Sequence, residues 1–363
     1  MEETTSRRAA DGLRRRARVG PFTAIWAAAV LLFAISPALA SGSVGASALK
    51  AMLPFAGILA IAAVGQTLVV QQRGLDLSVP GTMSLAAALV TKVPHGHADR
   101  LGLALLVVAL AAAACGVLIG LLVTRMGVTP LVATLGVNAL TLGTVVKITG
   151  GSIANTVPDN LSRFGAGTVA GIPVLALLAV ALVAAVSWVM RKTVAGRRFE
   201  LVGANPAAAR VAGIAVARYQ LGAYVAASLC YAAAGVLLAS LTSAPSLFAG
   251  NPYLLPTIAA VVLGGTSLAG GRGSVVATAV GALFLSQLDQ VLLASGSDSA
   301  VQNLIQGSIV ALGMGLRNVP WARVARSGRF PGAGGGEPQV RPSAASLQPT
   351  RGATAPLMQE EIT

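Results

Sequence analysis

Apolar residues run along this chain in blocks of about 20, parted by short joints rich in glycine, proline or charge. A helix rising 1.5 Å per residue needs about 20 residues to cross roughly 30 Å of hydrocarbon, so the block length predicts membrane-spanning helices. Ten such segments are read: 22–40, 49–70, 77–93, 101–124, 130–149, 172–190, 219–241, 254–270, 274–294 and 300–316. The third and the last are short and broken by Gly, Pro or polar residues. Hydrocarbon tolerates such breaks only where neighbouring protein or water satisfies the freed backbone groups, which predicts that both lie inside the bundle. The expected fold is all-α, a polytopic membrane helix bundle of about ten transmembrane helices over residues 22–317.

The distribution of charge adds a direction. Ten spans put both termini on one side. If that side is cytoplasmic, it holds all of the 26 Lys and Arg except Lys50, Lys92, Arg100, Lys147 and Arg163. This is the asymmetry of the positive-inside rule, and a miscounted span would scramble it. Residues 1–21 then form a basic cytoplasmic tail. The segment 318–363, rich in Gly, Pro, Ser and Arg and without apolar period, is expected to be a disordered cytoplasmic tail. The Arg-rich start followed by an Ala-rich run to Ala40 has the outline of a secretory signal, but the apolar block from Phe22 is long for one, and it is read as a retained first span.

Composition removes other classes. Of the 363 residues 55% are hydrophobic and 10% charged, with a mean hydropathy of +0.76, whereas soluble domains carry about 25% charge. The net charge of +14 is spread between apolar blocks and in the tails rather than on a folded face, so a membrane surface rather than a nucleic acid is the expected partner. Cys115 and Cys230 stand alone in apolar segments and read as packing residues. His95-Gly96-His97 has no cysteine or acidic cluster beyond Asp99, so no metal site is expected. No HExxH, no glycine-flanked nucleophilic serine with a histidine and no paired intramembrane aspartates occur; no catalytic residue is assigned and no enzyme activity is expected.

Three stretches between spans carry the functional expectation. In the longest, Arg191 to Arg218, residues Gly203 to Ile214 predict a short helix. Asn205 is placed to cap it, Pro206 suits its first position, Ala207 to Ala209 favour it and Gly213 permits a left-handed stop. Flanked by cations such as Arg210 and exposing Val211 and Ile214, it reads as a docking element for a soluble partner, against the plainer reading of a helical surface loop. In the second, Gln71 to Gly81, Asp76 and Ser78 stand at the start of the next segment, where both can cap helix amides, and Asp76 reads as a structural cap or as a partner for Arg73 rather than as a ligand group. The third, Gly264 to Ser274, lacks the Lys-Ser/Thr of a phosphate-binding loop; Gly264, Gly265, Gly270 and Gly271 instead predict a tight cytoplasmic turn and close helix approach. Polar residues inside spans are candidates for a translocation pathway: Gln66 with Thr67, Thr134, Asn138, Gln287, Asp289, and Gln302, Asn303 and Gln306. Each is also readable as interhelical glue.

Taken together and in this order, these stretches resemble the ribose-type permease family of bacterial ABC importers, within the wider group that contains branched-chain amino-acid permeases. The similarity covers residues 49 to 316 and is carried by GLDLSVPG at 74–81, GVLIGLLVTRMGVTPLVATLG at 116–136, GRRFELVGANPAAARVAGIAVAR at 196–218 and IAAVVLGGTSLAGGRGSV at 258–275. The chain departs from the family pattern where Gly-Gly is usual before Ile-Asp-Leu-Ser-Val, having Arg73-Gly74-Leu75 and then Pro80. The resemblance implies a permease subunit in the bacterial cytoplasmic (inner) membrane that binds no cofactor. Its partners would be an ABC ATP-binding subunit that uses ATP and Mg, a second permease subunit, identical or not, and an extracytoplasmic solute-binding protein. Residues 203 to 214 match what looks like the family's coupling helix. The implied solute is a monosaccharide, with a nucleoside, an autoinducer-like sugar or a branched-chain amino acid as alternatives. An ion-coupled secondary transporter is the alternative of another class; it would want carboxylates in several spans, where Asp289 is the one that qualifies.

Overall fold

The computed structural model describes residues 22–152 and 156–318, and the predicted tails lie outside the described residues apart from Asn318. Each of the ten apolar segments contains a helix. In order these are α1 (Ala24–Leu39), α2 (Ala46–Gln71), α3 (Val79–Lys92), α4 (Leu101–Thr124), α5 (Pro130–Thr149), a short α6 (Asp159–Gly165), α7 (Val174–Lys192), α8 (Val194–Ala204), α9 (Pro206–Val211), α10 (Val216–Thr242), α11 (Leu254–Leu263), α12 (Val275–Ala294) and α13 (Ser299–Asn318). Among the described residues the only strands are β1 (Thr168–Val169) and β2 (Ile172–Pro173), an antiparallel hairpin turned through Ala170 and Gly171. Among the described residues six helices are long and apolar enough to cross a membrane: α2, α4, α5, α7, α10 and α12. The chain is therefore a multi-pass, all-α membrane protein.

Helix α10 lies at the centre and packs against α2, α3 and α4; α12 packs against α1, α2 and α11; α3 also meets α5, and α2 meets α7. These contacts are close because small residues stand at the crossings. A Cβ added to Gly65 of α2 would lie 2.9 Å from the Ala227 carbonyl oxygen, and one on Gly116 of α4 would lie 2.5 Å from Val225 Cα. Without a hydrophobic driving force between helices in lipid, such backbone approach and its dispersion contacts supply much of the association energy.

Two segments depart from continuous helix. After α2 the chain runs non-helically from Gln72 to Ser78 before α3 begins, so α3 has 14 residues. Segment 254–270, expected as one span, is helical only to Leu263; Gly265 then takes a left-handed φ of +79°, and residues 264–274 form an irregular loop. Segment 74–78 is covered by protein, as hydrocarbon requires of non-helical backbone, whereas Leu268, Ala269 and Arg272 of the second interruption are exposed. Asp76, Ser78 and Thr266 are fully buried.

Candidate functional site

The predicted docking helix forms at one end of the bundle. Thr193 opens α8, its Oγ1 accepting from the Gly196 amide at 3.1 Å. Asn205 ends α8 and caps α9, its Oδ1 accepting from the Ala207 and Ala208 amides, each at 3.1 Å. Pro206 occupies the first helical position, where its missing N–H leaves no donor unsatisfied. Gly213 closes the element with φ +73°, and the Ile214 amide returns to the Ala209 carbonyl at 2.9 Å. Val211 is 92% exposed and Arg210 is exposed beside it, while Ala209 is buried against Val202 and Val216. Ile214, expected to be exposed, is half-buried against that same cluster, because the Gly213 turn folds it back under the helix. The element is a short capped helix pinned from beneath, presenting a cation and one aliphatic side chain outward.

Behind it, three loops interlock. The Gly271 amide donates to the Gln71 carbonyl at 2.8 Å, and Gln72 Nε2 donates to the Phe199 carbonyl at 2.8 Å. Arg73 donates from Nε to the Gly203 carbonyl at 2.8 Å and from Nη2 to the Ala204 carbonyl. Arg73 is thus bound to the C-terminal end of α8, where helix carbonyls and the negative end of the dipole favour a cation, and not to Asp76, the partner that one of the two readings of Asp76 gave it. There is no space for side chains at the glycines: a Cβ on Gly203 would lie 2.0 Å from the Gln71 oxygen, and one on Gly271 2.7 Å from Ala204 Cα. Gly270 packs on Arg73 and Gly264 on Thr278 in the same way. These glycines form the tight turn and close approach expected of them.

Asp76 Oδ1 accepts from the amide and the hydroxyl of Ser78, at 2.9 and 2.6 Å, in an Asx-type turn before α3. The cap on the helix amides comes from elsewhere: Asn138 of α5 accepts from Gly81 N at 2.8 Å. Ser78, expected to cap with its side chain, makes no such bond. Tyr231 of α10 donates to Gln66 Oε1 of α2 at 2.8 Å, a buried bond that ties α2 to α10. Gln66 Nε2 and Asp76 Oδ2 are buried without hydrogen-bond partners.

The pathway candidates are not gathered at one place. Gln66 is bonded to Tyr231 and Asn138 caps α3. Thr134 is fully buried, with Oγ1 3.3 Å from the Leu131 carbonyl. Gln287 is fully buried and donates to Ser36 Oγ of α1 at 3.0 Å. Asp289 accepts from Gln306 of α13 at 2.9 Å and lines a cavity of about 680 Å³ at the opposite end of the bundle from α9. Met52, Phe55, Leu238, Tyr253 and Gln302 share that cavity. No group of three or more metal-ligating side chains occurs among the described residues.

The model of the branched-chain amino acid transport system permease component matches residues 48–313. The chain belongs to this permease family. Its relatives include a ribose import permease protein of Bacillus subtilis strain 168, 33% identical over 305 residues that cover 83% of this chain and 92% of the relative. An autoinducer 2 import system permease protein of Enterobacter sp. strain 638 is 34% identical over 77% of this chain and 80% of its own. A galactofuranose transporter permease protein of Escherichia coli K12 is 34% identical over 69% and 74%. No solved structure matches.

Sequence reasoning about this permease overlooked Tyr231, and of its two readings of Asp76, a cap or a partner for Arg73, the second does not hold. A tyrosine in the middle of an apolar block was the available signal for the first, since a buried phenol needs a hydrogen-bond partner. For Arg73 there was none: its partners are carbonyls 130 and 131 residues away, and any residue type can supply a carbonyl.

Proposed function

We propose that this permease is the membrane-spanning subunit of an ABC importer that carries a small polar solute, a monosaccharide before the alternatives, across the bacterial cytoplasmic membrane. The observation that carries the mechanism is α9: a rigid, capped helix exposing Val211 and Arg210 at one end of a bundle whose described residues form no separate soluble domain. A partner subunit binding ATP and Mg docks there and hydrolyses the nucleotide, and the force enters the bundle through α9 as a rigid-body change. The sugar class is supported by relatives named for the import of ribose, autoinducer 2 and galactofuranose. In this reading the chain crosses the membrane ten times with both termini in the cytoplasm, so that α3 and α11 complete their crossings with the non-helical segments 72–78 and 264–274. The cavity beside Asp289 then faces outward, toward an extracytoplasmic solute-binding protein, and a second permease subunit completes the pathway. Tight solute binding is the task of that binding protein, in keeping with the apolar cavity walls.

The test is co-purification of the detergent-solubilised permease from its host, with and without the double change N205A/R210E. An ATP-binding protein that is recovered with the wild type and lost from a still monodisperse variant supports the docking role. A solitary protein that moves ribose down an ion gradient would sink it. Uptake of labelled ribose by the reconstituted complex, competed by autoinducer 2 or galactofuranose, sorts the solute classes.

A further inference from the structure

Arg73 is held in a conformation that its residue type disfavours. Its φ is +66°, a left-handed backbone that is unfavourable for a non-glycine residue and persists only where surroundings impose it. The turn is the stop of α2, where the Arg73 amide returns to the Val70 carbonyl and the Gly74 amide to the Val69 carbonyl, and the guanidinium fork that it projects is bonded to the two successive carbonyls, Gly203 and Ala204, that end α8. The next residue, Asn205, is the cap of α9. On its other side Arg73 leads through Gly74, where a Cβ would lie 2.5 Å from the Tyr224 hydroxyl, to Leu75 and buried Asp76, and so to α3. One side chain therefore joins the base of the exposed helix to the interrupted crossing, with no slack at Gly203, Gly270 or Gly271 on either side of the joint.

We propose that Arg73 is a positioning residue for transport, the pin that makes the segment 74–81 follow α9 when α9 is displaced. This rests on the reading of α9 as the docking element. Lysine at the position keeps the charge but has no planar fork to bridge two carbonyls. Glycine removes the pin while adopting φ +66° without strain, so Arg73→Gly leaves the fold intact.

The experiment is amide hydrogen exchange of the purified permease with its ATP-binding subunit, with and without ATP, Mg²⁺ and orthovanadate. In the wild type, trapped nucleotide changes exchange in peptides covering both 203–214 and 74–81. In R73G the response at 203–214 persists and that at 74–81 is lost. Without nucleotide, R73G exchanges about tenfold faster at 72–78, the loss expected for a charge-assisted pair of hydrogen bonds. R73K recovers part of the response. A response at 74–81 that survives R73G overturns the pin, and so does a wild type that responds at 203–214 alone. Loss of the ATP-binding subunit from R73G also overturns it, because Arg73 would then serve docking. A wild-type complex that holds the subunit yet shows no change at 203–214 instead sinks the docking reading, and the pin with it, through an observation that does not involve R73G.

Discussion

Helices α2 and α10 are buried over 89% and 67% of their most apolar windows, whereas α4 and α7 are buried over 28% and 17%. The more buried pair is the less apolar: mean hydropathy is 2.0 and 1.8 for α2 and α10, against 2.8 and 2.3 for α4 and α7. In water this ordering would be inverted. In hydrocarbon an apolar side chain loses nothing by facing lipid, so apolarity does not select the core. Close backbone approach and satisfied polar groups select it. Gly57, Gly65, Gln66 and Thr67 of α2, and Tyr224, Ser228, Tyr231 and Gly235 of α10, are all buried, while α4 and α7 turn Leu106, Leu110, Val180 and Trp188 outward.

The sharpest way to break this contrast is to fill a crossing. A Cβ on Gly235 of α10 would lie 2.3 Å from the Met83 carbonyl oxygen and 2.9 Å from Met83 Cα, both backbone atoms that a side-chain rotation cannot move aside. Gly235→Val is expected to cost more than about 3 kcal/mol and to leave little monodisperse protein after mild heating in detergent. Gly143→Ala in α5, where nothing lies within 4 Å, should stay within about 1 kcal/mol of wild type in the same assay. If the two variants behave alike, close approach is not what holds α10 at the centre.

The same contrast explains what could be read ahead of the structure. Block length gave the helices, because a span must satisfy its own backbone, and α9 was legible down to its cap, because Asn, Pro and Gly act locally through their own backbone chemistry. Depth in the bundle was not legible: α2 and α4 are both long apolar blocks, and hydropathy orders them the wrong way. The polar residues inside spans were legible as residues needing partners, but the partners themselves were not. Gln66 meets Tyr231 across 165 positions, and Asn138 meets Gly81 across 57. The end of α11 at Leu263 was missed since a glycine pair fits a helix crossing as well as a helix stop.

Polar satisfaction can be tested at Tyr231, which has no exposed surface and joins α10 to Gln66 of α2. Tyr231→Phe keeps the ring and removes the link, so the buried Gln66 amide oxygen loses its partner. The expected cost is about 1–3 kcal/mol, read as a lower midpoint in thermal unfolding. Tyr219→Phe, at a half-buried ring beside the docking helix, should change the midpoint much less. An equal effect at both rings would show that the buried hydroxyl is not a structural link.

The smallest expected effect separates the two contributions at a single crossing. Thr67 of α2 donates to the Ala63 carbonyl of its own helix at 2.7 Å, its hydroxyl oxygen is hydrogen-bonded to the Thr278 hydroxyl of α12 at 3.0 Å, and both threonines are fully buried. Valine matches threonine in shape, so Thr67→Val and Thr278→Val remove the hydrogen bond and preserve the packing. Because each hydroxyl has a carbonyl of its own helix as a fallback in the unfolded-in-membrane state, the coupling in a double-mutant cycle should be only about 0.6 kcal/mol. A coupling several times larger would mean that polar pairs, rather than the glycine crossings, dominate the α2–α12 contact. A coupling of zero would leave close approach as the main force at this crossing, and the α2–α12 interface would then tolerate any residue pair that keeps its volume.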